Sequence, residues 1–168
     1  MIRYNLGACK MNRRSALASV SLLALTLAGC QPGATPQQQL QADAALVTAG
    51  VAAVAVSVEA TPNLDPATKT KIDNALATVV AANGIIQQST AVPGTAAQQL
   101  IAAIRVAAPI LLGLLNPASA EAIAINAALA LLPTILAAAG VTVAPAPAAK
   151  LTMNPATARM VLNKYVHK

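Results

Sequence analysis

The chain of 168 residues is poor in aromatic and charged side chains. It has no Phe, no Trp and two Tyr, and Asp, Glu, Lys and Arg together make up 10% of it. A core without large rings must be filled by Ala, Val, Leu and Ile, and Ala favours closely packed helices because of its high helix propensity. Few aromatic residues also argue against nucleic-acid binding, which relies on stacking platforms and dense positive charge.

Residues suited to catalysis and metal binding are scarce as well. His167 is the only histidine, and no carboxylate stands near it in the sequence to orient it. The five carboxylates do not have the spacing of a metal-binding loop, and the isolated glycines form no phosphate-binding loop. We therefore expect no enzyme activity, no metal site and no cofactor.

An export signal stands near the start of the sequence. Arg13 and Arg14 precede the apolar run ALASVSLLALTLA of residues 16–28, which small residues follow. This order of charge, apolar run and small residues is what export and cleavage require, and the run is too short for a good membrane span. The signal is complete from Met11 onward, so Met11 is an alternative start. The two arginines also partly resemble a twin-arginine export motif. The alternative is that they are the positive charges of an ordinary signal peptide.

The residues Leu27-Ala28-Gly29-Cys30 resemble the lipobox of bacterial lipoproteins. The resemblance covers this segment alone and implies a signal peptide over residues 1–29, with Cys30 as the acylated first residue of the mature chain. Several acyl chains hold a protein firmly to a bilayer, whereas one holds it weakly. The resemblance implies a lipid-anchored protein of the bacterial cell envelope, on the outer membrane facing the periplasm. An ordinary cleaved signal and a retained signal anchor are the alternatives.

Removal of residues 1–29 changes the charge of the protein. Four of the eleven basic residues are lost with them, so that the formal charge falls from +6 for the whole chain to +2. With Cys9 removed and Cys30 acylated, no disulfide is possible within the mature chain. The basic character of the full sequence thus belongs largely to its targeting segment, which again argues against a nucleic-acid partner.

Proline and capping residues divide the mature chain into helices. Capping residues precede prolines at Thr35-Pro36, Asp65-Pro66, Asn116-Pro117 and Asn154-Pro155. Thr95 with Gln98 predicts a capping box for another helix, and Asn83-Gly84 and Gly140 predict helix ends. We predict an all-α fold, a small bundle of four to five helices, with a tether over residues 30–35, a helical domain over 36–140, an Ala-Pro linker over 141–153 and a basic C-terminal helix over 154–168.

Apolar residues recur at helical spacing within these segments. The first helix carries an apolar stripe spaced by four and three residues: Leu40, Ala44, Val47, Val51, Val54 and Val58. The second carries Ile72, Leu76, Val79 and Val80. The third and fourth are apolar over more than one face, and we expect Pro109 and Pro133 to kink or split them.

Three classes of function remain open for such a chain. The leading interpretation is a structural or interaction module without catalysis, bound to the membrane through Cys30. The second is a membrane-active or lysis-associated protein of prophage type that uses residues 101–139, although polar residues break this stretch into pieces shorter than the roughly 20 residues that a span needs. The third is a periplasmic carrier that holds an acyl ligand between its helices.

The last segment is basic, because residues 150–168 contain four Lys or Arg and no carboxylate. We expect Arg159, Lys164 and Lys168 to contact an anionic surface or peptidoglycan, or an envelope protein; the alternatives are a solvated helix end and lipid headgroups. The ending Lys164-Tyr165-Val166-His167-Lys168 loosely resembles that of wall-linked outer-membrane lipoproteins. That resemblance implies that the ε-amine of Lys168 is joined to peptidoglycan.

Overall fold

The computed structural model describes residues 34–62, 64–91, 93–141 and 153–167. They form five helices: α1 (Pro36–Glu59), α2 (Pro66–Gln88), α3 (Gly94–Leu114), α4 (Ala120–Ala138) and α5 (Pro155–Val166). Within these ranges there is no β-strand. The prediction of an all-α bundle is confirmed. Cys30, most of the predicted linker and Lys168 lie outside the described residues.

The first four helices form an antiparallel bundle, and α5 lies in the groove between α1 and α4. The start of α1 meets the end of α2, where Gln41 bonds to Ile86, and the end of α4, where Asp43 meets Thr134. Helix α5 runs parallel to α1. We call the end that holds the start of α1 the tether end, and the opposite end, with the start of α4, the far end.

The core is aliphatic, as expected from the composition. All six residues of the predicted α1 stripe are at most 3% exposed, which confirms that stripe. In α2 the prediction holds for Ile72 and Val79 but is wrong for Val80, which is 48% exposed. Adjacent helical residues point about 100° apart, so that Val79 and Val80 cannot share one narrow face. Ala75, Ala82 and Ile86 complete the buried stripe instead.

Three predicted helix starts are confirmed by their caps. Thr35 accepts a hydrogen bond from the Gln38 amide at 3.2 Å and donates its own amide to Gln38 Oε1 at 2.9 Å, which makes a capping box. Asp65 accepts from the Thr68 amide at 2.9 Å. Asn154 accepts from the amide two residues on, at 2.7 Å. These caps satisfy amides that have no partner within their own helix.

Helix α3 begins two residues earlier than predicted. Its cap position is Pro93, which makes no side-chain hydrogen bond, and Thr95 lies inside the first turn. The predicted capping box of Thr95 with Gln98 is therefore wrong. Gly94 lies near the end of α4, since a Cβ added to it would lie 3.6 Å from Val141 Cγ2.

Helix α4 begins three residues later than predicted. Asn116 accepts from the Ala118 amide at 3.0 Å and so closes a turn rather than capping a helix, which Asn before Pro also favours. Ser119 supplies the cap, accepting from the Ala122 amide at 3.1 Å. The prediction identified a turn correctly and placed the helix start in the wrong part of it.

Helix α2 continues past Asn83-Gly84, where the sequence predicted its end. The last carbonyls of α2 are satisfied by α1, since Gln41 Nε2 donates to the oxygens of Ile86 at 3.2 Å, Gln87 at 3.4 Å and Ser89 at 3.3 Å. Gln87 returns a bond of 2.7 Å to the Gln41 carbonyl. Side chains of another helix thus provide hydrogen bonds to the end of α2, where a C-terminal glycine motif would provide them locally.

Helices α3 and α4 run unbroken through Pro109 and Pro133. The expected split is therefore wrong. Both prolines are exposed, so their rings lie away from the core while the buried faces on either side keep the helix packed. The predicted end at Gly140 is confirmed. Gly140 has a φ of 67°, and Val141 donates to the Leu136 carbonyl at 3.0 Å in a Schellman motif.

Candidate functional site

The most specific polar arrangement in the described residues is an ion pair between α1 and α5. Asp43 is 2% exposed. Arg159 donates from Nε to Asp43 Oδ1 at 2.7 Å and from a terminal nitrogen to Oδ2 at 2.7 Å. Thr134 on α4 adds a longer hydrogen bond to Oδ2 at 3.4 Å. Three helices therefore meet at one carboxylate, and the two-point geometry fixes the orientation of the guanidinium.

A second close contact between α1 and α5 lies further along the same interface. Leu162 of α5 is fully buried, and a Cβ added to Gly50 of α1 would lie 2.5 Å from Leu162 Cδ2. A side chain at position 50 would therefore require Leu162 to move. Ala158, also fully buried, completes the contact face of α5. The basic C-terminal helix thus shares the hydrophobic core of the bundle.

Sequence reasoning did not identify Asp43 as a site residue. The sequence did contain an indication that Asp43 is buried. It lies next to Ala44 of the apolar stripe, and it is the only charged residue of the first helix before Glu59. A buried carboxylate requires a partner. The sequence could not tell which of the basic residues supplies it, because the pair joins positions that are 116 residues apart.

The structure separates the residues that were predicted to contact an anionic surface. Arg159 is engaged with Asp43 inside the groove, whereas Lys164 is exposed in the last turn of α5. Cys30 and Lys168 lie outside the described residues. The structure therefore gives Arg159 a role within the fold, and it leaves Lys164 accessible at the far end.

Tyr165 and His167 complete the far end of α5. The Tyr165 side chain lies beside Ser57 of α1 and Glu121 of α4, and its burial, followed by the charge of Glu121, raises the pKa of the phenol. His167 is exposed, and its amide donates to the Asn163 carbonyl at 3.2 Å. Neither residue has the arrangement of a nucleophile with an oriented base.

A small network of surface ion pairs at the far end is centred on Lys69. Lys69 contacts Glu59 at 2.6 Å and Asp73 at 3.6 Å. The Asp65 carboxylate is not part of this network and accepts bonds from the amide and hydroxyl of Thr68. These two bonds lower the pKa of Asp65, and the hydrogen bond to Glu59 raises the pKa of Lys69.

Sites for ligands are sparse in the described part of the chain. No group of three or more His, Cys, Asp or Glu side chains there could hold a metal ion. A shallow depression of about 310 Å³ opens at the tether end between α1 and α4. It is lined by Ala34, Pro36, Gln39, Thr134, Ala137 and Ala138, which carry no charge.

Within the described residues, three helices are long and apolar enough to cross a membrane by length and composition: α1, α3 and α4. From the sequence, only the region of α3 and α4 was considered as a membrane span, and its polar residues and prolines divide it into shorter pieces. About half of each helix is buried inside the bundle, between 44% and 56% of the most apolar window. The same apolar residues thus serve the protein core here.

Comparison with known proteins gives no relative. No family model, no curated protein and no solved structure matches this chain.

Proposed function

We propose that this chain is a lipid-anchored lipoprotein of the bacterial cell envelope, held to the membrane through acylated Cys30, and that its bundle serves as a structural or interaction module without catalysis. The observation that carries the proposal is the lipobox-like segment that ends at Cys30, five residues before the capped start of α1 at Thr35. Such an order supports a short tether between a lipid anchor and a folded body.

The experiment is a pair of cysteine substitutions in the full-length chain. Cys30→Ser should abolish both signal processing and membrane attachment, because the thiol is the lipid acceptor, whereas Cys9→Ser should leave both intact. Mass spectrometry of the mature N-terminus measures the acyl mass directly. A mature chain that begins elsewhere, or a Cys30 without acyl chains, would overturn the proposal.

We further propose peptidoglycan or an envelope protein as the partner of the far end. The exposed side chain of Lys164 and the resemblance of the last five residues to wall-linked lipoproteins support this choice. Digestion of purified cell wall with a muramidase should release a C-terminal peptide that bears a muropeptide on Lys168. If no such peptide is found, the covalent link is excluded, and a salt-sensitive contact with an envelope protein remains to be tested by cross-linking.

The second candidate is a membrane-active protein that inserts α3 and α4. The observation that favours it is the apolar length of these helices, of 21 and 19 residues. Dye release from phosphatidylcholine vesicles separates the two functions, because insertion should release the dye and a bundle anchored at one end should not. Rapid release by the full mature chain would favour insertion and overturn the structural role.

A further inference from the structure

Charge is distributed unevenly between the two ends of the bundle. In the described residues, the far half and the middle hold Glu59, Asp65, Lys69, Lys71, Asp73, Arg105, Glu121 and Lys164. The tether half holds only Asp43 and Arg159, which neutralise each other. Residues 74–91 and 93–104, which form most of α2 and the first half of α3, contain no charged side chain at all.

The described surface of the tether end carries no charge outside that ion pair. Its exposed residues include the polar Gln39 and Thr95 and the small Ala137. Large apolar side chains are exposed at both ends, with Val80, Ile85 and Met160 towards the tether end and Val56, Leu114 and Ile123 towards the far end. Charge rather than apolar exposure therefore distinguishes the two ends.

The tether limits how far this end can lie from a lipid anchor. Cys30 precedes Thr35 by five residues, which span at most about 18 Å when fully extended. Helix α1 has 24 residues and is about 36 Å long, so the far end lies at roughly that distance beyond the tether end. Charged groups are strongly disfavoured in the hydrocarbon core of a bilayer, and burying an uncharged polar group costs much less than burying a charge.

We infer that the tether end of the bundle, whose described residues carry no charge outside the Asp43–Arg159 pair, rests on the surface of the bilayer that holds Cys30, so that α1 stands upright and the charged far end is directed away. This inference depends on the proposed lipid anchor. The described residues of the tether end offer no Lys or Arg outside the Asp43–Arg159 pair, so the contact that we infer is made by uncharged groups and is not driven by anionic lipid. The exposed Lys164 is then held away from the same bilayer and towards a partner in the periplasm.

Fluorescent labels on the full, lipid-anchored chain test this orientation. Once residues 1–29 are removed and Cys30 is acylated, an introduced cysteine is the single reactive thiol. We choose Gln39→Cys and Thr95→Cys at the tether end, with Thr61→Cys and Ala118→Cys as matched exposed positions at the far end. In phosphatidylcholine vesicles that contain a nitroxide-labelled lipid, labels 39 and 95 should lose fluorescence, and labels 61 and 118 should retain it.

Lipid composition and charge variants sharpen the result. The loss at 39 and 95 should be the same when phosphatidylglycerol is added and when salt is raised, since screening affects only charge-driven contact. Adding the pair Thr95→Glu and Ala137→Glu to the label at 39 should abolish its loss while the protein stays on the vesicles. The pair Thr61→Glu and Ala118→Glu, at the far end, should leave that loss unchanged.

The outcomes separate this inference from the lipid anchor itself. A chain without acyl mass, which does not stay on vesicles, contradicts the proposed function. An acylated chain whose four labels are quenched alike, or not at all, contradicts only the upright orientation. Quenching at 39 and 95 that requires anionic lipid overturns the uncharged mode of contact. Shielding of these labels from aqueous iodide in the unlipidated protein, rising with protein concentration, would identify a second copy as the occupant and overturn the inference.

Discussion

Asp43 and Arg159 join the first and last helices of the bundle through two hydrogen bonds of 2.7 Å, with the Asp43 side chain 3% exposed and the Arg159 side chain 20% exposed. Two charges removed from water lose hydration, and their attraction repays this loss only when the geometry is good. The pair is therefore weak evidence for stability. It does require that α5 lie in one register against α1, because only that register pairs the carboxylate.

Removal of the carboxylate should show this dependence. We expect Asp43→Ala to lower the free energy of unfolding by about 3 kcal/mol, because it breaks a two-point ion pair whose guanidinium is largely buried. Urea denaturation of the unlipidated chain without residues 1–30 measures the change. The double variant Asp43→Leu with Arg159→Met is the control and should be close to wild type in stability, since an apolar pair avoids the desolvation cost. A loss below about 1 kcal/mol in the single variant would mean that the pair is not formed in solution.

Replacement of Gly50 by alanine should change the stability of the protein in the opposite direction to the same replacement at other helical glycines. Alanine gains about 1 kcal/mol of helix propensity over glycine, but overpacking against Leu162 costs about 1 to 3 kcal/mol. We expect Gly50→Ala to destabilise the protein by about 1 kcal/mol on balance. Gly84→Ala and Gly113→Ala, where an added Cβ meets nothing within 4 Å, should stabilise it by about 0.5 to 1 kcal/mol.

The effect at Gly50 can be assigned to Leu162 by a double-mutant cycle. In a Leu162→Ala background the clashing carbon is gone, and Gly50→Ala should become stabilising, with the same thermal unfolding assay used for all variants. If Gly50→Ala is destabilising to the same extent in both backgrounds, the contact between α1 and α5 does not explain the glycine.

The sequence was sufficient to predict the helices and the core face of α1, because these depend on local properties. Thr35, Asp65 and Asn154 cap within three residues of themselves, and the α1 stripe follows from helical spacing alone. The predicted end of α2 at Gly84 failed for the opposite reason. Its true end is stabilised by Gln41, which lies 45 residues from Ile86 in sequence, and no local rule contains that contact.

The candidate site was less predictable for the same physical reason. The basic residues of α5 suggested a shared contact with an anionic surface, but Arg159 and Lys164 are five positions apart and leave the helix in different directions. Which of them faces the groove depends on the packing of Ala158 and Leu162 against α1 and α4. The sequence alone indicates that α5 is basic, but it does not indicate which group each basic side chain contacts.

Thr48 offers a test of an unsatisfied group in the core. It is 8% exposed, and its hydroxyl has no hydrogen-bond partner among the residues that the structure describes. We expect Thr48→Val to raise the free energy of unfolding by about 1 to 2 kcal/mol, because valine has the same shape without a buried polar atom. Thr78→Val is the control, since that hydroxyl donates to the Asn74 carbonyl at 3.0 Å on the exposed face, and it should change stability by less than about 0.5 kcal/mol. Equal effects at both positions would contradict the burial argument.

The Asp65 cap of α2 should make part of the free energy of unfolding depend on pH. The bonds from the Thr68 amide and hydroxyl lower the pKa of Asp65 from its usual value of 3.8, so the folded protein binds a proton here less readily than the unfolded chain. The contribution is therefore complete above pH 3.8 and is lost as the pH falls through the lowered pKa of the folded state. Asp65→Asn keeps a capping oxygen but cannot titrate. When urea midpoints are measured from pH 6 down to pH 2, the difference in stability between wild type and Asp65→Asn should shift against the wild type over the acidic end of that range. Parallel curves for the two proteins over the whole range would show that the Asp65 carboxylate contributes nothing through its charge.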